Sequence, residues 1–187
     1  MEIFIKNNFD GDIYKAFIKL SHPVMKADLW RYCIIYKYGG IYADTDTVCK
    51  IDPKYLVTDS LLTVVSENHL GFCQWFFYAP LNSPILKQII DLSVYRILNE
   101  PMKGHGIIHY MTGPAVFTDG IIMYLKSQNL PIFENRLDFH KEYYDSNILR
   151  VLPTDITHKD LVVHLFAGSD EDGWKAARDK LFENGVF

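Results

Sequence analysis

The sequence predicts a single domain of the α/β class. Two observations carry this prediction. Long segments with the apolar pattern of helices alternate with shorter segments that are apolar, or that alternate apolar and polar residues, as strands do. The chain has 187 residues, 49% of them hydrophobic, which is sufficient for one packed core. We therefore expect residues 1–187 to fold as one domain.

The first part of the chain predicts two strands and two helices. Residues 2–7 (EIFIKN) are a short apolar run typical of a strand, and after a turn residues 12–20 predict a short helix. A longer helix is predicted at 25–38, where apolar residues lie on nearly every side until a Gly-Gly pair ends it. Residues 41–43 then predict a short strand that ends at an Asp-Thr-Asp sequence, and 48–53 continue extended.

The middle of the chain predicts a pair of strands followed by helices. Residues 61–68 and 71–80 alternate or run apolar, so both predict strands. A helix is predicted at 83–99, because a proline stands in its first turn. A loop is expected at 104–109, and a Thr-Gly-Pro sequence leads into a helix at 115–126.

The last part of the chain is less regular. Residues 131–152 predict irregular structure with one strand, and 160–168 predict a buried strand that meets a loop. A final helix is expected at 174–182. Because helices and strands interleave throughout, the α/β class follows.

Charge and hydropathy exclude several classes of protein. The net charge is −4, which argues against nucleic-acid binding and requires a local cation for any phosphorylated ligand. No run approaches ~18 consecutive apolar residues, so no transmembrane segment is predicted. The first residues lack the basic and apolar regions of a signal peptide. We expect a cytoplasmic protein.

Two acidic residues, two positions apart, follow the predicted strand at 41–43. In an extended chain Asp44 and Asp46 would present both carboxylates on one face, with Cα atoms roughly 7 Å apart. Such carboxylates repel each other unless a cation lies between them, and a nucleoside diphosphate can complete the oxygen shell of that cation. The metal would then neutralise the leaving group. A solvated acidic turn is the alternative, whereas the missing Gly and distal Glu exclude an EF-hand.

The preceding helix carries two charged residues on one face. Asp28 and Arg31 are three positions apart in a segment that is otherwise apolar, so we expect both to be buried and to bind something polar. One hypothesis is a structural ion pair. The other is a site for sugar hydroxyls, which a carboxylate and a guanidinium together bind well. The Gly-Gly reversal would bring both residues, with Tyr42, towards the acidic pair.

Four blocks of residues occur in an informative order. They are ADLWRY and YGGIYADTD within 27–46, Gln-Trp-Phe and Ser-Pro-Ile-Leu within 74–86, MTGPAVFTD at 111–119 and HLFAGS at 164–169. Together they resemble the DxD sugar-binding region and three later blocks of glycosyltransferase family 32. That family includes the fungal initiation-specific α-1,6-mannosyltransferases, and the glucosylating clostridial toxins are distant relatives. The resemblance implies a GT-A-like fold, a Rossmann-like mixed sheet flanked by helices, here with a shortened N-terminal nucleotide-binding part.

The resemblance also implies roles for individual residues. The implied metal ligands are Asp44, Asp46 and His164. The residues implied to bind the donor are Asp28, Arg31, Tyr42, Asp44, Gln74 and Ser169. Those implied to act in catalysis are Asp44, Asp46 and Arg31. Two oxygen ligands with an imidazole favour Mn²⁺, with Mg²⁺ as the alternative.

Two departures from the family pattern stand out. The Gly-Ser-Trp block reads Gly168-Ser169-Asp170 here, with Trp174 four residues later, so a carboxylate replaces the indole. Position 83 is Ser where the family often has His.

The function implied by the resemblance is transfer of a hexose from a UDP- or GDP-sugar to a hydroxyl of a glycan or glycoconjugate. The expected course is Mn²⁺-dependent and retains the anomeric configuration, by substitution on one face of the sugar. One alternative is a module that binds sugar nucleotides or glycans without turnover. The other is a haloacid-dehalogenase-type phosphatase, because residues 44–48 (DTDTV) resemble D-x-D-x-T, although the last position is Val48, with Asp44 as nucleophile and Asp46 as general acid.

Overall fold

The computed structural model describes residues 1–9, 11–67, 71–104, 106–130, 144–145, 147–153 and 161–165. Its helices are α1 (Glu2–Asn8), α2 (Asp12–Lys19), α3 (Pro23–Tyr38), α4 (Pro84–Asn99), α5 (Ile107–Met111) and α6 (Pro114–Ser127). Its strands are β1 (Gly40–Ala43), β2 (Thr47–Cys49), β3 (Leu62–Glu67), β4 (Gly71–Ala79), β5 (Tyr144–Asp145), β6 (Leu149–Leu152) and β7 (Val162–His164). A 3₁₀ helix, Pro53–Leu56, follows β2.

The strands form one mixed sheet and one two-stranded ribbon. The sheet has the order β1-β4-β3-β6-β5, in which β3 and β6 are parallel and the other neighbours are antiparallel. In the ribbon β2 pairs antiparallel with β7, and Thr47 lies opposite His164. The predicted α/β class is confirmed, with a mixed sheet.

Strand β4 is buried along its whole length because the sheet is covered on both faces. Phe77 of β4 joins a large hydrophobic cluster to which each of the six described α-helices contributes. Phe76 joins a smaller cluster with Leu56 of the 3₁₀ helix and Val162 of the ribbon. Since neighbouring residues of a strand point to opposite faces, the helices cover one face of the sheet and the ribbon covers the other.

Helix α3 ends at Tyr38, as the sequence predicts, but it begins at Pro23, two residues before the predicted start. The imidazole of His22 accepts a hydrogen bond from the backbone N–H of Val24 at 3.2 Å, and Pro23 stands in the first turn, where its missing N–H costs nothing. Gly39 ends the helix with a φ of 69°, and a Cβ there would lie 2.7 Å from the backbone nitrogen of Leu81. Glycine at this position therefore allows the chain to reverse tightly into β1.

The prediction of a strand at 2–7 is wrong, because these residues lie in α1. A short apolar run fits a strand and a buried helix equally well. Ile5 and Phe9 are four positions apart, and both enter the larger cluster. Phe4 packs edge-on against Trp30 of α3, with ring centroids 6.4 Å apart. Packing against α3 therefore selects the helix.

The later elements match the predictions with three differences. The loop predicted at 104–109 contains the start of α5. The stretch predicted to be irregular, 131–152, includes two short strands, β5 and β6, and not one. Within 160–168 the strand is limited to β7 among the described residues. The helix predicted at 174–182 lies outside the described residues.

The longest helices of the described part of the chain, α3 and α4, have 16 residues each. None of the helices described combines the length and the apolar character needed to cross a bilayer.

Candidate metal and sugar-nucleotide site

The loop with the two acidic residues is held between the main sheet and the ribbon. Asp44 directly follows β1, and its backbone N–H donates to the carbonyl of Trp75 in β4 at 2.8 Å. Asp46 directly precedes β2, and its carbonyl accepts a hydrogen bond at 2.9 Å from the backbone N–H of Leu165, next to the end of β7. Both ends of the loop are therefore fixed by backbone pairing.

Three side chains converge at this loop. Asp44, Asp46 and His164 each offer one potential ligand atom, and these atoms lie within 4.8 Å of one another. His164 Nε2 lies 3.1 Å from Asp46 Oδ1 and 3.7 Å from Asp44 Oδ2. The two carboxylates are 28% and 22% exposed, so a ligand can reach them from solvent. Two carboxylates and an imidazole fit a divalent cation such as Mn²⁺.

The His164 imidazole is oriented by its neighbours in both sheets. Its register partner in the ribbon is Thr47, and its ring centroid lies 4.9 Å from that of Trp75. Trp75 itself is only 8% exposed and belongs to the smaller hydrophobic cluster. The indole therefore supports the histidine from the core and is not an open platform for a sugar.

One oxygen of Asp44 is already engaged by the protein. Asp44 Oδ1 accepts hydrogen bonds from Arg31 Nη1 at 3.0 Å and from the Tyr42 hydroxyl at 2.6 Å. The Arg31 guanidinium also lies over the Tyr42 ring, 4.6 Å from its centroid. With Oδ1 held in this way, Oδ2 is the oxygen that faces His164.

Asp28 and Arg31 form a buried ion pair behind Asp44. Arg31 Nη2 lies 2.9 Å from Asp28 Oδ1, and the two residues are 7% and 1% exposed. Gln74 Nε2 donates to Asp28 Oδ1 at 3.1 Å, and the Thr112 hydroxyl donates to Asp28 Oδ2 at 3.0 Å. Both oxygens of Asp28 are thus engaged by protein donors, which favours the structural ion pair over direct contact with a sugar.

Burial is the main cause of the shifted pKa of Asp28. It raises the pKa of Asp28 from its ordinary value of 3.8 to about 6, although the Arg31 charge and the hydrogen bonds from Thr112 and Gln74 act in the opposite direction. Burial likewise raises the pKa of Tyr42, so its hydroxyl keeps the proton that it donates to Asp44. At pH 7 Asp28 is charged and paired with Arg31.

Stability is expected to fall as the pH rises through the raised pKa of Asp28. The folded state holds this proton up to about pH 6, whereas the unfolded chain releases it near 3.8, so the contribution is complete below 3.8 and lost above 6. The change is on the order of 3 kcal/mol for a fully buried group. Urea unfolding of wild type and Asp28→Asn at pH 4 and pH 7 would measure it. If the difference in free energy of unfolding between the two proteins is the same at pH 4 and pH 7, the prediction is contradicted.

The structure places seven of the eight predicted site residues in one connected group. Asp28, Arg31, Tyr42, Asp44 and Gln74 are linked by the contacts described above, and Asp46 and His164 complete the group. Ser169, together with Asp170 and Trp174, lies outside the described residues. The roles of these residues in ligand binding and catalysis stay predictions.

Two members of the group were missed from the sequence. Tyr32 is 0% exposed, and its hydroxyl hydrogen-bonds to Gln74 Oε1 and, at 2.7 Å, to the Thr112 carbonyl. Thr112 is also 0% exposed, and the sequence predicted no role for it beyond the Thr-Gly-Pro sequence that leads into a helix. The available signal was the helical spacing of Asp28 and Tyr32, four apart, which places a hydroxyl beside a buried carboxylate.

Comparison with known proteins agrees with this geometry. Residues 3–63 match the family described as "Glycosyltransferase sugar-binding region containing DXD motif". This part of the chain is similar to a DXD glycosyltransferase sugar-binding region. This DXD region covers α1 to the start of β3, and it includes Asp44 and Asp46 but not His164. The resemblance to glycosyltransferase family 32 is thereby confirmed.

Similarity to two curated relatives extends beyond the DXD region. An initiation-specific alpha-1,6-mannosyltransferase of Candida albicans is 26% identical over 160 residues, covering 67% of this chain and 42% of the relative. The enzyme of the same name from Schizosaccharomyces pombe is 29% identical over 171 residues, covering 75% of this chain and 42% of the relative. The chain thus spans less than half the length of these relatives.

A solved structure supports the fold. The "PaToxG Glycosyltransferase" aligns with a TM-score of 0.53 and 19% sequence identity, covering 66% of this chain and 44% of that one. At this identity the likeness concerns the fold alone. The predicted GT-A-like arrangement, a mixed sheet flanked by helices, is confirmed.

Proposed function

We propose that this protein is a metal-dependent glycosyltransferase that uses a nucleoside-diphosphate sugar. The observation that carries the proposal is the convergence of Asp44, Asp46 and His164 within 4.8 Å, at the acidic motif of the DXD region. Two carboxylates and an imidazole form a donor set for a divalent cation, and the imidazole favours Mn²⁺ over Mg²⁺. The pairing of β2 with β7 brings His164 next to Asp44 and Asp46, which are far from it in sequence.

The bound cation would supply Lewis-acid neutralisation of the diphosphate leaving group. Asp44 Oδ2, Asp46 Oδ1 and His164 Nε2 are the protein atoms that would hold it. The Arg31 guanidinium adds positive charge behind Asp44, at 3.0 Å, and offsets the negative charge of the loop in the absence of substrate. Tyr42 keeps Asp44 oriented through its hydroxyl.

We further propose that the sugar keeps its anomeric configuration, as the resemblance to glycosyltransferase family 32 implies, and that it does so by substitution on one face. A double-displacement course needs a carboxylate available as nucleophile. Asp28 does not meet this need, since it is 1% exposed and both of its oxygens accept hydrogen bonds from the protein. Attack of the acceptor hydroxyl on the face that the diphosphate leaves requires no such nucleophile. A product of inverted configuration would overturn this part of the proposal.

The names of both curated relatives favour a mannosyl donor. The resemblance to glycosyltransferase family 32 implies a hydroxyl of a glycan or glycoconjugate as the acceptor. UDP-hexoses are the second class of donor to compare. The cytoplasmic location expected from the sequence stays a prediction.

A thermal-shift panel tests the proposal. GDP-mannose and other GDP- and UDP-hexoses are each added with and without Mn²⁺ to wild type and to His164→Gln. A ligand at about 100 times its Kd stabilises the folded state by roughly 2.7 kcal/mol, which is several degrees of Tm. We expect one donor to stabilise the wild type only with Mn²⁺, and His164→Gln to weaken this effect.

The other outcomes separate the alternatives. Stabilisation by a donor without release of the nucleotide would indicate a binding module. Release of phosphate from a phosphomonoester, with no effect of any nucleotide sugar, would indicate the phosphatase and contradict the proposal.

A further inference from the structure

A line of buried polar contacts connects the junction of α5 and α6 to the candidate metal site. The Thr112 hydroxyl donates to Asp28 Oδ2 at 3.0 Å. Asp28 Oδ1 lies 2.9 Å from Arg31 Nη2, and Arg31 Nη1 lies 3.0 Å from Asp44 Oδ1. Thr112, Asp28 and Arg31 are 0%, 1% and 7% exposed, so water does not compete for these contacts.

We propose that Thr112 is a positioning residue for the divalent-cation site. Its hydroxyl fixes the Asp28 carboxylate, Asp28 fixes the plane of the Arg31 guanidinium, and Arg31 holds Asp44 with Oδ2 turned towards His164. This inference rests on the proposed function, because it concerns the orientation of one of the proposed ligands.

Thr112 is itself held in place from two sides. The Tyr32 hydroxyl lies 2.7 Å from the Thr112 carbonyl oxygen and shares its hydrogen with Gln74 Oε1. On the other side, Gly113 lets α5 and α6 meet closely, since a Cβ there would lie 2.7 Å from the backbone of His109. The Thr-Gly-Pro sequence thus places one hydroxyl against α3 with little freedom.

The Thr112 hydroxyl has one hydrogen and two acceptors within reach. The carbonyl of Ile108 is 3.3 Å away, as expected for a threonine that caps a helix end, but Asp28 Oδ2 is nearer at 3.0 Å and carries charge. A charge-assisted hydrogen bond is the stronger of the two. Valine, with the same shape, removes this donor from Asp28 Oδ2 and frees the carboxylate to turn, and Arg31 with it. Serine keeps the hydroxyl.

The test compares Thr112→Val with Thr112→Ser. Binding of Mn²⁺ alone is titrated by electron paramagnetic resonance of the free ion, at a temperature where each protein is fully folded. Loss of partners that orient metal ligands typically weakens metal binding about 10-fold or more, and Thr112 acts through two intermediates. We therefore expect Thr112→Val to raise the Kd for Mn²⁺ by about fivefold and Thr112→Ser to leave it within about twofold.

Other results would overturn the inference in distinguishable ways. If Asp46→Ala abolishes Mn²⁺ binding while Thr112→Val lowers only Tm, Thr112 has a structural role and the proposed function stands. If Asp46→Ala binds Mn²⁺ like the wild type, the metal site and this inference fall together. Should Thr112→Val not fold, Thr112→Ala decides, because it removes the same hydroxyl from Asp28 Oδ2 and leaves a smaller side chain in its place. A raised Kd supports the inference, and an unchanged Kd overturns it.

Discussion

Asp46→Asn is expected to reduce sugar transfer by about 1000-fold while leaving the fold intact. The Asp46 carboxylate is partly exposed and lies 3.1 Å from His164 Nε2, so the isosteric amide fits the same space. A neutral amide is a much weaker ligand, and loss of the cation removes several kcal/mol of stabilisation of the leaving group, about 4 kcal/mol for 1000-fold. Donor turnover at the Mn²⁺ concentration that saturates wild type, with circular dichroism as the check on folding, measures both parts.

Asp12→Asn provides the matched control for this experiment. Asp12 is an exposed carboxylate on α2 that pairs with Lys15 at 2.9 Å, a type of surface pair that contributes little. The turnover of the Asp12→Asn variant should equal that of wild type. Wild-type turnover in Asp46→Asn, still dependent on Mn²⁺, would contradict the proposed site.

The second large effect is expected from Arg31→Met, which should cost both stability and activity. Removing the guanidinium leaves Asp28 buried without its cation, and the loss of one partner of a buried ion pair costs roughly 3–5 kcal/mol. Asp44 loses its 3.0 Å contact at the same time, so metal binding should weaken as well. Urea unfolding and Mn²⁺ titration measure the two losses on one protein.

Arg96→Met separates a general loss of stability from an effect at the site. Arg96 is also 7% exposed and pairs with Asp119 at 2.8 Å, but it joins α4 to α6 away from the acidic loop. The Arg96→Met variant should be less stable than wild type but bind Mn²⁺ with the same affinity. Equal losses of Mn²⁺ affinity in both variants would contradict a specific role for Arg31.

A double-mutant cycle tests whether Asp28 and Arg31 act as a pair. Combining Arg31→Met with Asp28→Asn removes both charges, so the buried carboxylate is no longer left without a partner. The double variant should therefore be less destabilised than the sum of the single variants, by about 2 kcal/mol. Strict additivity would show that the two residues contribute independently.

The site residues that are close together in sequence could be predicted from the sequence pattern. The site residue that is far from them in sequence could not. Apolar residues around Asp28 and Arg31 predicted a buried helix with a charged pair, and the Gly-Gly reversal predicted a strand leading to Asp44. These inferences succeed because they involve neighbours in sequence. His164 lies on a strand that pairs across the fold, and only the order of blocks in a known family pointed to it.

Two errors have the same physical origin. Residues 2–7 fit a strand or a helix by pattern, and contact with α3 decides between them. Thr112 has a turn-forming sequence, and its link to Asp28 depends on how α5 and α6 pack against α3. In both cases tertiary packing provides information that the local sequence does not contain.

The β2–β7 ribbon has a consequence for how the protein matures. Thr47 and His164 are paired in the ribbon although they are far apart in sequence, so closing the ribbon costs loop entropy. We therefore expect the ribbon to close after the local helices have formed. The two carboxylates of the acidic loop leave the ribosome long before the imidazole does. A nascent chain can therefore build its helical core before it has a complete set of donors. Capture of the cation, which favours the closed ribbon by mass action, would mark the last stage of folding.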